Sequence, residues 1–482
     1  MPSVDLSFQR ATRKNTTRTV NERFPTPHSP FDLAQASQRL RVETDLLSAV
    51  EARGGLSRHA PAASVAVEAW LIDGTGRPAH QNHAFMATLQ SSAVAAGPAR
   101  FQIVLRTASH AVAGEGITSL MRDLQSIWVR CQEVAQSMGL RMLAIGMLPT
   151  TDDADLALSN MSADAGQSPT RALTRIEIDS ARERLRSEHL GIVPAAAVTS
   201  LRAHLQVAPE VAARFYNASM IATSATVGLA ANAPYLFGVE LWEDTRVALL
   251  EQIHGDSSAD ATHAALATEF CGSPEEYFRA NVAQPTQVVA GAEAPQRFAQ
   301  LRRHNETLWR WNRLQVDFSE DGTPHLRIEQ HAMSPGPTPA DIMANVCFHY
   351  GLTASLATEP EPPELRIGAA MAHANLLTVA RGGLGAEVAW LDKERMPLRS
   401  LLIVELIERA HDGLHQLGVD DEVAQRHLSL IERRVAGGQT GAAWQRRFVH
   451  AHGRNFALLA REYAARQLGG APVHEWNVRR LT

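Results

Sequence analysis

The stretch HLRIEQHAMSPGPT, residues 325–338, decides how this chain folds. Side chains of an extended segment alternate between faces, so a strand from His325 to His331 puts His325, Arg327, Glu329 and His331 on one side and Leu326 and Ile328 on the other. One face then belongs to a core and the other to ionisable chemistry. The segment is closed by SPGPT, a rigid turn in which Pro335 and Pro337 fix φ and Gly336 permits unusual angles.

Working outward, further candidate strands are SVAVEAWLIDGTGRP (64–78, with Asp73-Gly74 as a turn signal), ARFQIVLRT (99–107), RMLAIGMLP (141–149) and TSLRAHLQV (199–207). The last places Ser200, Arg202, His204 and Gln206 on one face. As neighbours in one sheet, these strands would bring Glu68, His204, Arg327 and Glu329 to a common surface. Carboxylate and imidazole suit a divalent cation, and guanidinium suits phosphate or carboxylate. A solvent-facing half of an edge strand would show the same alternation.

Helical patterns fill the intervals: Phe31–Arg53 closed by Gly54-Gly55, Ile117–Met138, the nearly uncharged residues 209–233, and most of the chain after Ala340. Residues 171–189 carry charges at helical spacing, and 152–170 read as a surface loop. We expect an α+β fold with helices on one face of a mainly antiparallel sheet, formed by residues 32–482 as a single domain. Residues 1–31 hold Arg10, Arg13, Lys14, Arg18 and Arg23 among few large apolar residues and read as a disordered basic arm.

Composition excludes several function classes. The 482 residues are 45% hydrophobic and 20% charged, with a formal net charge of −5, so no basic field argues for nucleic acid or a membrane surface. Lys14 and Lys393 are the only lysines, which rules out a GxxxxGK phosphate loop. No apolar run is long enough to span a bilayer. Cys131, Cys271 and Cys347 are too far apart for a CxxC metal pair and fit a reducing compartment, the cytoplasm.

Upstream of the opening stretch lies HNETLWRWNR, residues 304–313. Trp309 and Trp311, interleaved with Arg310 and Arg313, could stack on a flat ligand, or simply pack in a core. HNETLWRWNR followed by HLRIEQHAMSPGPT resembles the signature of bacterial glutamate–cysteine ligases, carboxylate–amine ligases whose usual text is close to HNGTVWRWNR and then HLRIENRVLPAGPT. VEAWLID (67–73), FQIVLRT (101–107), IGMLPT (145–150), SLRAHLQV (200–207), ANAPYLFGVELWEDTR (231–246) and GGQTGAAWQ (437–445) agree in order. The resemblance covers roughly residues 45–450.

It implies a curved, mainly antiparallel sheet wrapped by helices, of glutamine synthetase type. It also implies ATP as phosphoryl donor, Mg²⁺, and small-molecule amino acid and amine substrates joined through an acyl phosphate. By the same resemblance Glu68, His204 and Glu329 are metal ligands, and Arg327, His331, Arg106 and Arg202 are catalytic positions. Arg246, Trp309, Trp311 and Arg313 are substrate or nucleotide contacts.

The pattern is incomplete. Ala66 and Val104 stand where the family has carboxylates, Arg106 where it has an amide, Arg202 where it has Gln, and His331 where it has Arg. Two lost carboxylates and two gained arginines shift the site by about four charges toward positive, which disfavours several bound cations. Three activities are compatible with this: a divergent ATP-dependent ligase, a catalytically depleted binding or regulatory subunit working with an active paralogue or a second copy, or a metal-poor amide hydrolase or acyl transferase.

Overall fold

A computed structural model describes residues 30–162, 173–191, 193–255, 269–284 and 297–478. The basic arm expected at 1–31 lies, apart from its last two residues, outside them.

The alternating segments become strands β1 (Ala62–Ile72), β2 (Val94–Ala96), β3 (Gln102–Arg106), β4 (His110–Ala111), β5 (Arg141–Leu143), β6 (Leu173–Asp179), β7 (Arg184–Leu190), β8 (Leu201–Val207), β9 (Tyr235–Leu236), β10 (Val239–Glu240), β11 (Asn312–Phe318), β12 (Pro324–Met333), β13 (Glu387–Trp390) and β14 (Lys393–Pro397). Eight of them form one curled antiparallel half-barrel with the order β11-β12-β8-β1-β3-β2, β4 and β5 pairing with β1. The register fixes which residues share a face. Glu329 stands opposite His204, Ser64 opposite His204 on the other side, Ala66 between Arg202 and Arg106, and Glu68 opposite Val104.

Ala63, Val65 and Val67 of β1, Leu201, Ala203 and Leu205 of β8 and Leu326 and Ile328 of β12 form the buried apolar face. Helices Ala212–Ala230 and Pro339–Ala357 cover it. Both helices are nearly uncharged because they are packed almost all round. Their polar groups pair with each other: Ser219 Oγ lies 3.0 Å from His349 Nε2, and Thr226 Oγ1 3.1 Å from His349 Nδ1. Thr338 caps the second helix by accepting from the Asp341 amide, while Asp341 pairs with buried Arg434 at 2.8 Å.

One expectation fails. Within the 171–189 stretch the described residues, from 173 on, are not helical: β6 and β7 form an antiparallel hairpin, with Arg175 opposite Glu188 and Glu177 opposite Arg186. Ile176, Ile178 and Leu185 turn inward while the charges face out. That is period two, which the charge spacing alone disguised.

Candidate functional site

The face of the half-barrel opposite the helix layer carries the ionisable residues. The opening stretch supplies its centre. Glu329 is 3% exposed, and its carboxylate is ringed by Gln315 Nε2 at 3.1 Å, His331 Nδ1 at 3.4 Å, His204 Nδ1 at 3.7 Å and an Arg313 nitrogen at 3.8 Å. Burial alone would raise the Glu329 carboxyl, but Arg313 and the adjacent His331 and His204 together hold it well below the usual range. Burial, reinforced by Arg327 and Arg202 against the pull of Glu329, pushes His204 down to about 3. Burial also pushes His331 down to about 4, with Glu329 opposing and Arg313 assisting. Both imidazoles are therefore neutral at pH 7. His204 Nδ1, His331 Nδ1, Glu329 Oε1 and Arg313 Nε have no properly formed hydrogen bond, although all are buried. Four buried polar atoms without partners around one carboxylate set this point apart from ordinary packing, in which buried polar groups are paired.

Toward β11, Arg327 donates through Nε to Gln315 Oε1 at 2.9 Å and pairs with Asp317 at 2.9 Å. On β1, Glu68 accepts from the Ser200 amide at 2.8 Å and from Arg202 Nη2 at 2.7 Å. Arg106, at the end of β3, is exposed, and its side chain forms no ion pair or hydrogen bond among the described residues.

The remaining predicted contacts point elsewhere. Arg246 is fully buried: it pairs with Asp244 and donates to Ser334 Oγ, Thr199 O, Ser200 Oγ and Ala332 O. Each of its nitrogens is taken, so it has no donor left for an anion and its role is structural. It ties the start of β8 to the end of β12, and the packing is close enough that a Cβ at Gly146 would collide with Ser334 Oγ and crowd Arg246 Cδ. Trp311 is buried and donates through Nε1 to Glu251 at 2.7 Å; Trp309 stacks on His254 with ring centroids 5.0 Å apart. Neither ring offers the open stacking platform that the sequence suggested. The nearby Arg310 lies over Tyr277 and donates to Asn281.

The metal expectation meets the same accounting. Mg²⁺ needs several oxygen ligands in near-octahedral array. Ala66 and Val104 offer none, Glu68 is engaged by Arg202, and Glu329 is ringed by Arg313 and two imidazoles. Among the described residues no group of three or more His, Cys, Asp or Glu is arranged to hold a metal ion. The residues present do not fit the family's cation set.

Two groups on this face escaped sequence reasoning, Gln315 and Asp317. Their signal was the alternation of NRLQVDF, which puts Arg313, Gln315 and Asp317 on one side.

No family model and no curated protein matches the chain. Solved structures do. Glutamate–cysteine ligase of Francisella tularensis, crystallised with AMP, is 12% identical with a TM-score of 0.55, over 88% of this chain and 91% of that one. A bifunctional glutathione synthetase of Pasteurella multocida is 10% identical with a TM-score of 0.46, over 85% and 53%. The ligase PafA, in complex with the ubiquitin-like protein Pup, is 12% identical with a TM-score of 0.41, over 84% and 71%. The first of these shows that the chain has the glutamate–cysteine ligase fold. No helix among the described residues is long and apolar enough to cross a membrane.

Proposed function

We propose that the chain is a divergent ATP-dependent carboxylate–amine ligase of glutamate–cysteine ligase type, acting in the cytoplasm. The observation that carries this reading is the register that gathers Glu68, Arg106, Arg202, His204, Arg327 and Glu329 on one face of that fold. The likeness to a ligase crystallised with AMP supports the nucleotide.

In the proposed reaction a carboxylate oxygen of an amino acid attacks the γ-phosphorus of ATP. An acyl phosphate forms and ADP leaves. The amine nitrogen then attacks the acyl carbon, the carbon–oxygen bond breaks, phosphate leaves and the nitrogen loses a proton. The departing phosphate can take that proton; His331, which burial holds down to about 4, is suited to orient the amine as a neutral hydrogen-bonding group. Arg327 is suited to the substrate carboxylate, and guanidinium groups meet phosphate charge that cations meet elsewhere. No step is assigned to a metal ion, because the side chains do not fit the usual set.

The test is amide formation from ATP, glutamate and a panel of amines, followed by mass spectrometry with and without Mg²⁺. An ATP-dependent amide product is expected; none with any amine overturns the assignment. One observation favours a second reading, a catalytically depleted binding subunit: Glu68 and Glu329 are both engaged by neighbouring side chains. Nucleotide binding without turnover, restored to turnover by an active paralogue, selects it.

A further inference from the structure

We infer that Arg106 and Arg202 form a metal-independent subsite for a polyphosphate chain, spread over the bare floor of Ala66. The inference rests on the ligase reading only for taking that chain to be a nucleotide's tail.

Ala66 is the direct cross-strand partner of Arg106 on one side and of Arg202 on the other. Directly paired residues share a face, so both guanidinium stems rise from the same side of the sheet, with Cα atoms about 10 Å apart across the two strand spacings. Between them stands only a methyl group. Both arginines retain unused donors: Arg106 is exposed and unpaired, while Arg202 gives Nη2 to Glu68 and keeps 42% of its side chain exposed. Glu68 thereby fixes the stem and direction of Arg202 and is itself neutralised. The next position along β3, Val104, adds no second carboxylate beside Glu68.

Two planar forks at that separation suit an extended polyanion better than one carboxylate, which occupies a single fork. A polyphosphate can give separate oxygens to each. Arg202, held against Glu68, acts there as a tethered cation, occupying by covalent attachment the kind of position that a dissolved ion would otherwise take.

The experiment is calorimetric titration of the full chain with inorganic tripolyphosphate in excess EDTA. Wild type is expected to bind, with affinity falling as salt rises. Arg106→Gln is expected to weaken binding about tenfold or more, equivalent to about 1.4 kcal/mol. Ala66→Glu, which places a carboxylate between the two guanidinium groups, is expected to weaken it further than the uncharged Ala66→Gln. Binding that requires Mg²⁺ overturns the inference, as does unchanged binding by Arg106→Gln or equal binding by the two Ala66 variants. Citrate binding as tightly as tripolyphosphate overturns the assignment to phosphate. Thermal unfolding of each variant confirms that the fold is kept; Arg106 has no partner to lose. The two proposals fail separately. Metal-free tripolyphosphate binding with no amide formed sinks the ligase reading alone, whereas amide formation that needs Mg²⁺ and ignores Arg106→Gln sinks the subsite alone.

Discussion

Arg246, at the start of the helix Thr245–Gly255, and Arg106, at the end of β3, carry the same charge, and they show what two regions of the molecule are for. Around Arg246 every donor meets an acceptor: Asp244, two hydroxyls and two backbone carbonyls close the joint between β8 and β12. Around Arg106 nothing does. Residue type does not separate the two cases; the tally of partners does. A saturated buried cation belongs to the architecture, and an exposed one with unused donors is where a ligand can add something.

The largest effect that would sharpen this contrast belongs to the saturated joint. Arg246→Ala leaves the buried Asp244 carboxylate without its cation, held by the Ser334 hydroxyl alone among side chains, and is expected to cost about 3–5 kcal/mol in denaturant unfolding. A loss under about 1 kcal/mol breaks the contrast. Next comes the helix layer, where burial pushes His349 down to about 3. The unfolded chain takes up that proton near pH 6.5 and the folded chain only near 3, so stability is present above 6.5 and declines as pH falls through the interval. The loss reaches on the order of 2 kcal/mol by pH 5. In His349→Phe the acid limb of the stability–pH curve is expected to flatten by that amount, whatever the change at pH 7; an unchanged limb assigns the acid sensitivity to other groups.

A smaller effect is expected of Trp311→Phe, which keeps the ring but loses the hydrogen bond to Glu251, at about 1–2 kcal/mol by thermal unfolding. Ligand affinity unchanged in that variant agrees with Trp311 as packing. The smallest effect is the most telling. Arg106→Ala is expected to alter stability by no more than about 0.5 kcal/mol, because the side chain is exposed and unpaired. A large loss there would show Arg106 to be a structural residue like Arg246.

Much of this fold was legible because alternation and register are local properties. HLRIEQH reads as half core and half polar from seven residues, and SLRAHLQV repeats the pattern, so the strands and the gathering of Glu68, His204 and Glu329 on one sheet face follow. The hairpin at 173–190 was misread because its turn, Ser180 to Glu183, contains no Gly, Pro or Asn, and charges on two short arms imitate helical spacing. The fate of Arg246 was not legible at all: its acceptors come from positions 199, 200, 244, 332 and 334, which meet only after β8 and β12 pair. The engagement of Glu68 by Arg202 is a similar case. Sequence displayed both charges, but only the cross-strand pairing of Ala66 with Arg202 brings them together.

The alanine at 66 also constrains what this protein can become. A single mutation to glutamate would deliver a carboxylate into the grip of an arginine on either side, and those arginines would claim it before any ion from solution could. Acquiring a cation there would take several coordinated changes, with intermediates that hold neither ion nor anion well.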